Sequence, residues 1–241
     1  MVPDLQQPGG TMNVPAQQLP FQEEPADFRS SFHWRIFRIM AEFVEGFQFL
    51  ADIRNTVTFF GSARLKEDTH WYQEAQKLAR MCAEHGIGMV TGGGPGIMEA
   101  GNRGAVEGGG ESVGLNIQLP KEQRINPYVK RGHGFHYFFS RKIMLSYAAR
   151  VYVYFPGGFG TLDEFFEIIT LIQTHKIERI PVIVVGKEYW TPLLVWINNE
   201  VLGHHQMIDT DDQAIYTLVD TAEEAFEIIK TAPPRKDIDH I

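Results

Sequence analysis

The stretch VYVYFPGGFGTLDE, Val151–Glu164, carries an apolar β-branched and aromatic run, a glycine-rich turn, and then a helix-like segment with two carboxylates. An earlier stretch repeats the layout, with the strand-like Ile87–Val90 leading into TGGGPGIMEA, Thr91–Ala100. Glycines let a backbone come close to an anion, and a helix that follows such a turn offers unpaired N–H groups and the positive end of its dipole. The two stretches together therefore predict a phosphate-binding pocket built from two turns. In the second, Thr161 adds a hydroxyl at the expected helix start, where it serves equally as an N-cap that Glu164 would close into a capping box. Asp163 and Glu164 are expected in the first turn of that helix, where a phosphate binder has no electrostatic use for them. Their presence points to chemistry on a phosphorylated ligand.

Working outward, VTFF (Val57–Phe60) reads as a buried strand, Thr69–Glu84 as a helix, Met98–Val106 as a helix and Ser112–Ile117 as a strand. Phe138–Ala149 reads as a helix, Val151–Phe155 as a strand, Leu162–Thr174 as a helix, Ile180–Val185 as a strand, and Pro192–Val201 and Ala222–Lys230 as helices. Such alternation predicts the α/β class, a parallel sheet with helices on both faces and ligands beyond the carboxyl ends of the strands. Both glycine turns, and the turn GSAR at Gly61–Arg64, follow strands and should gather at one edge. Residues 54–231 are expected to form this single domain. Ahead of it, Phe32, Ile36, Met40, Phe43, Phe47 and Leu50 recur at helical spacing within 28–53, an amphipathic helix that packs on its own domain or also joins a subunit contact. Residues 1–27, rich in Gln, Pro and Gly, read as a flexible tail, and the stretch RKDIDH, Arg235–His240, as a frayed end within a C-terminal tail, 232–241.

Composition narrows the function. With 241 residues, 44% of them hydrophobic, the chain can bury one substantial core. No apolar run approaches a membrane span, and the N-terminus lacks a secretory pattern, so a soluble cytoplasmic protein is expected. The single cysteine, Cys82, excludes an internal disulfide and a multi-cysteine metal site. A net charge of −8 argues against nucleic acid as a partner, because the field of the whole molecule would repel a polyanion.

A conventional dinucleotide site fits poorly. The first strand leads into GSAR instead of GxGxxG, and the strand that should end in a ribose-binding acid ends NIQLP, Asn116–Pro120. No GKS or GKT follows either turn, which argues against a P-loop. Ser140-Arg141-Lys142, by contrast, places an arginine near the start of the helix that precedes the Val151 strand, within reach of the same sheet edge. Its planar fork suits a phosphate, a sugar or the Glu164 carboxylate.

The ordered series GSAR, GGGPGIMEA, SRKIM (Ser140–Met144) and PGGxGTxxE resembles the LONELY GUY (LOG) family of cytokinin riboside 5′-monophosphate phosphoribohydrolases, long mislabelled as lysine decarboxylases. The likeness runs from about Val57 to Trp196, with the methionine one residue nearer the RK pair than in plant members. It implies a Rossmann-like fold and hydrolysis of the N-glycosidic bond of a nucleoside 5′-monophosphate, without a cofactor, in a homodimer or larger homo-oligomer. Carried over by position, Arg141 and Glu164 would be the catalytic pair. Gly93, Gly94, Gly96, Gly157, Gly158, Gly160 and Thr161 would hold the phosphate, and Ser62, Glu99, Met144 and Asp163 would meet the base or ribose. A non-catalytic nucleotide-binding module of the same fold is the alternative. Decarboxylation fails on chemistry, since neither Lys142 nor Lys176 stands in a pyridoxal phosphate context. HGFH (His133–His136) and His204-His205 read as loop histidines and not as metal ligands, with His133 and His136 placed to line a base pocket.

Overall fold

A computed structural model of the chain describes residues 32–118 and 125–235; the expected tail at 1–27 and the last six residues lie outside them. Seven strands, β1 (Thr56–Phe60), β2 (Gly88–Thr91), β3 (Ser112–Ile117), β4 (Arg131–Phe135), β5 (Val151–Tyr154), β6 (Val182–Val185) and β7 (Tyr216–Val219), form one sheet in the order β4-β3-β2-β1-β5-β6-β7. Every pairing is parallel. The chain winds one way from β1 to β4 and the other way from β5 to β7, so a crevice opens where neighbouring β1 and β5 lead off in opposite directions. This is the Rossmann-like α/β architecture the alternation predicts.

Both faces of the sheet are covered, which is why its central strands are continuously apolar and not alternating. Val57, Phe59, Val151, Val153 and Ile183 pack beneath α2 (His70–Glu84), α3 (Ile97–Glu107) and α7 (Ala222–Thr231). Phe60, Val90, Tyr152, Tyr154 and Val184 pack on the other side with Leu145 of α4 (Phe138–Tyr147), Phe165 of α5 (Phe159–Gln173) and Trp190 of α6 (Lys187–Trp196). Cys82 is fully buried in the first of these clusters, and burial pushes its thiol up to about 12. It is a packing residue.

Several sequence expectations change. Helix α1 runs Phe32–Leu50, but Phe32 (69% exposed), Ile36 and Met40 face solvent, and its buried residues are Glu42, Gly46 and Leu50. Leu50 is buried and Phe43 and Phe47 pack against the core, so the second half of the expected stripe faces inward, but a carboxylate and a glycine share that face and the first half is exposed. Helix α5 starts at Phe159, not Leu162, so Thr161 lies inside the helix, Gly158 is the N-cap, and no side-chain cap forms. Asp163 and Glu164 thus fall beyond its first turn. Helix α6 starts at Lys187 because left-handed Gly186 (φ +106°) breaks the chain directly after β6, and Asp220 accepts the Lys187 N–H. Pro192 is then interior, and the helix passes into a π-helical turn, Ile197–His204. Strand β4 contains His133, which the glycine-interrupted RGHGF hid as a loop. Edge strand β7, short and only half buried, was also missed. Arg235 is not frayed: its Nη1 donates to the carbonyls of Ser146 and Ala149, and the residue is buried.

Glycines set how closely α2 and α3 approach. A Cβ on Gly104 would strike the Gln76 carbonyl and Ala79, and one on Gly108 would strike Arg80 and Ala83. Alanine gains about 1 kcal/mol in helix propensity over glycine, but overpacking against fixed backbone costs about 1–3 kcal/mol. Gly104→Ala should therefore lower the melting temperature by a few degrees in a thermal scan; a rise would mean that the two helices are not held by this contact.

Candidate active site

Three turns meet at the carboxyl edge of the sheet. After β1, the Ser62 N–H donates to the Pro156 carbonyl at 3.0 Å, while the Ser62 carbonyl accepts from Ile97 N–H at 3.0 Å. One peptide segment thus ties the Gly61–Arg64 turn to both glycine turns. Gly96, at φ +70°, lies so close to the Ser62 carbonyl and Ala63 that no Cβ fits. The first glycine turn is also fastened from below: Thr91 Oγ1 accepts the Gly93 N–H and donates to Asn102 Oδ1, and Asn126 Nδ2 bonds the Gly94 carbonyl and Asn102 Oδ1.

Between these turns lies a cavity of about 1100 Å³ lined by Ser62, Arg64, Gly92, Met98, Phe138, Arg141, Lys142, Leu145, Gly157, Gly158, Phe159, Gly160, Thr161, Asp163, Glu164 and Tyr189, among others. Of the residues singled out from sequence, Arg141, Glu164, Gly157, Gly158, Gly160, Thr161, Ser62 and Asp163 come together here. Gly93, Gly94, Gly96, Glu99 and Met144 are not part of the lining. The three glycines shape and anchor the turn, Glu99 pairs with the Tyr72 hydroxyl at 3.2 Å, and Met144 is fully buried against Gly46. His133 packs on Phe49 and Phe135, off the cavity; the half-buried Glu200 and the exposed His204 and His205, whose ligand-type atoms lie within 4.8 Å of one another, are also outside its lining. Sequence reasoning missed Gly92, Arg64 and Tyr189. Gly92 carried a readable signal as the first glycine of TGGG, and its role is specific: a Cβ there would strike the Arg141 guanidinium.

Arg141 stands in the first turns of α4 and donates from Nε to the carbonyl of Leu115, within β3, 2.7 Å away. Burial pulls its pKa down from the ordinary arginine value, with the Glu164 charge opposing. Lys142, next in sequence, faces α5 and pairs with Asp163 and Glu167, each at 2.8 Å. Burial works against its charge, but those two bonds raise its pKa on balance. Tyr189 donates to the Gly157 carbonyl and steadies the second glycine turn.

Glu164 lacks such support. It is 9% exposed, and its Oε2 is buried with no hydrogen-bond partner. Desolvation raises its pKa to about 7; Lys142 and Arg141 pull it down, and Glu167 and Asp163 push it up. Among the described residues no ion pair joins it to Arg141, so the two groups face the cavity as separate charges. A buried carboxylate poised near neutrality and left without a donor is suited to take a proton or to stabilise a cation.

A family model described as "Possible lysine decarboxylase" matches residues 98–229, more than half of the chain, so the chain belongs to that family, the LOG family. It is 29% identical over 189 residues to the "Probable cytokinin riboside 5′-monophosphate phosphoribohydrolase LOGL5" of Oryza sativa subsp. japonica, covering 76% of this chain and 75% of the relative. It is 28% identical over 150 residues to the cytokinin riboside 5′-monophosphate phosphoribohydrolase of Rhodococcoides fascians, covering 60% of this chain and 74% of the relative. Among solved structures, the fold is shared with the molybdenum cofactor carrier protein of Chlamydomonas reinhardtii (TM-score 0.54, 20% identity, 74% and 98% of the two chains). It is also shared with the molybdenum cofactor binding protein of Rippkaea orientalis (TM-score 0.51, 20% identity, 73% and 94%).

The raised pKa of Glu164 has a stability consequence. Between its ordinary carboxylate value and about 7 the unfolded chain releases the proton first, so this residue's contribution falls as pH rises through that window and stays low above it. Glu164→Gln removes the buried charge, and should stabilise the protein by about 1–3 kcal/mol at pH 8, with the gain vanishing near pH 5. Paired melting curves at the two pH values check this; equal melting at pH 8 would mean that Glu164 ionises like an exposed carboxylate.

Proposed function

We propose that the chain hydrolyses the N-glycosidic bond of nucleoside 5′-monophosphates, AMP or its N6-modified forms, to free base and ribose 5-phosphate. The observation that carries this reading is Glu164, a buried carboxylate without a hydrogen-bond donor at Oε2, on the helix whose glycine-rich start lines the same cavity as Arg141. The names of the relatives support the same reaction class.

In this reading the phosphate sits at the N-terminus of α5, where Gly158 caps without a side chain and a Cβ on Gly158 or Gly160 would meet open space. The free N–H groups and the helix dipole hold the anion, with the Thr161 hydroxyl beside them. The remote phosphate positions the ribose over Glu164. As the bond from C1′ to the base breaks, its electron pair leaves with the base, and positive charge develops on C1′ and the ring oxygen. The Glu164 carboxylate stabilises that charge and takes a proton from the water that adds to C1′, and that proton is passed on to the departing base, which leaves neutral and returns Glu164 to its carboxylate form. Arg141, pinned by Leu115, orients the carboxylate or the sugar. Asp163 is tied to Lys142, which leaves Glu164 as the base. Gly92 serves the same site by giving the arginine room.

Purified protein incubated with AMP, other nucleoside monophosphates, isopentenyladenosine monophosphate and the matching nucleosides should release base from the monophosphates alone. Because the carboxylate form acts, kcat/KM should fall about tenfold for each pH unit below about 7 and level off above it. Glu164→Gln should lower kcat by roughly 10²-fold or more with AMP affinity kept within about tenfold, and Arg141→Lys should also cripple turnover. Binding without base release by the wild type would instead make the protein a nucleotide-binding module. Full activity in Glu164→Gln would remove this carboxylate from the mechanism.

We also assign a second copy of the chain as the cover for exposed apolar groups on two helices, Met40 and Val44 of α1 and Phe138, Phe139 and Ile143 of α4, of which Phe138 lines the cavity. Light scattering should give at least a dimer mass, reduced by Val44→Glu or Ile143→Glu; a monomer in the wild type would exclude this assignment.

A further inference from the structure

Helix α4 carries Arg141, yet no side chain of its own caps it. The capping group comes from far away in sequence. Glu42 of α1 is buried, at 7% exposure, and its Oε1 accepts the His136 N–H at 2.7 Å. Its Oε2 accepts the Tyr137 N–H at 3.2 Å and the Ser140 hydroxyl at 2.5 Å. These are the peptide groups entering α4 and the residue directly before Arg141. A carboxylate at this end also meets the positive pole of the helix dipole.

The contact continues along the helices. Gly46, one turn beyond Glu42, lies against Met144, one turn beyond Ser140; a Cβ there would fall 2.9 Å from Met144 Cγ. Phe47 meets the Tyr147 ring edge-on at 5.0 Å. At the opposite end of α4, Arg235 donates to the carbonyls of Ser146 and Ala149, placing a cation at the negative pole. The helix is therefore held at its N-terminus by an anion and at its C-terminus by a cation. Both lie outside residues 98–229, the part matched by the family model.

We propose that Glu42 is a positioning residue for Arg141. It fixes the rise and rotation of α4, so that the arginine meets the Leu115 carbonyl and Gly92 with its guanidinium turned into the cavity. A buried carboxylate in the middle of a helix face is costly unless fully bonded, and an apolar residue would pack α1 and α4 more simply. The acid is matched to directional N–H and O–H donors, and this fixes an orientation that apolar packing leaves loose. In catalytic terms the proposal rests on the phosphoribohydrolase reading; in structural terms it concerns only the geometry between Arg141 and Glu164.

The test uses the full chain and Glu42→Gln, which keeps the shape but loses the anion. The carboxyl titration of Glu164 is followed by carbon-13 NMR, assigned through Glu164→Gln, alongside kcat, KM for AMP and the melting temperature. Because the Arg141 charge lowers the Glu164 pKa, a displaced arginine should move the midpoint from about 7 upward by roughly half a pH unit. The acid limb of kcat/KM should move with it, and kcat should fall about tenfold with KM changed less than about threefold. If Glu42→Gln fails to fold, Ser140→Ala, which deletes one of the three bonds, is read in the same way. A lower melting temperature with an unmoved Glu164 midpoint and unchanged kcat would overturn the proposal and leave Glu42 a purely structural residue. If the wild type hydrolyses no nucleoside monophosphate but the midpoint still moves, the positioning role stands and the assigned reaction fails.

Discussion

The peptide group at Ser62 is the joint on which the site depends. Its N–H is bonded to the turn after β5 and its carbonyl to the first residue of α3, so three strand ends are locked by two backbone hydrogen bonds. Backbone groups buried at a sheet edge must find partners, and here they find them in one another's turns. The close approach this demands excludes a side chain at Gly96. The first glycine turn, which resembles a ligand cradle in sequence, is therefore largely occupied in holding the frame, and the second glycine turn remains open toward the cavity.

Charge is distributed unevenly within that frame. Lys142 forms ion pairs with Asp163 and Glu167 across α4 and α5, and Glu42 and Arg235 bond the two ends of α4. Glu164 and Arg141 are left facing the cavity, and burial drives each toward its neutral form. Desolvation without a matching donor raises the energy of an ionised carboxylate, and a bound cationic or water-bearing state relieves it. Lys142, held by Asp163 and Glu167, acts on Glu164 through its charge and forms no ion pair with it among the described residues. This separation of paired from unpaired charge distinguishes the cavity edge from an ordinary salt-bridged surface.

Much of this was legible before the fold. The buried strands are continuous apolar runs, and glycine turns after them mark carboxyl edges, so the α/β class and the meeting of three turns followed from local pattern. The PGGFGT turn, Arg141 and Glu164 were legible because each couples a special residue type to a defined place after or before a strand. The face of α1 was not. Its conspicuous apolar residues Phe32 and Met40 are exposed, whereas burial falls on Glu42 and Gly46, whose partners Ser140 and Met144 are about a hundred positions away in sequence. Strand β4 was hidden by Gly132 and Gly134, since strand propensity reflects packing on neighbours that a single sequence does not display.

The sequence by itself determined the alternation of strands β1, β2, β3, β5 and β6 with helices, the conformations open to its glycines and the chemical types available at the sheet edge, because these depend on backbone sterics and short-range periodicity. Only the tertiary structure decided that Gly92 and not Gly93 makes room for Arg141, that Thr161 lies within α5 and not at its start, and that Glu164 is left without a donor. Solvation and hydrogen bonding at a buried group depend on atoms brought together from distant segments, and no local pattern contains that information.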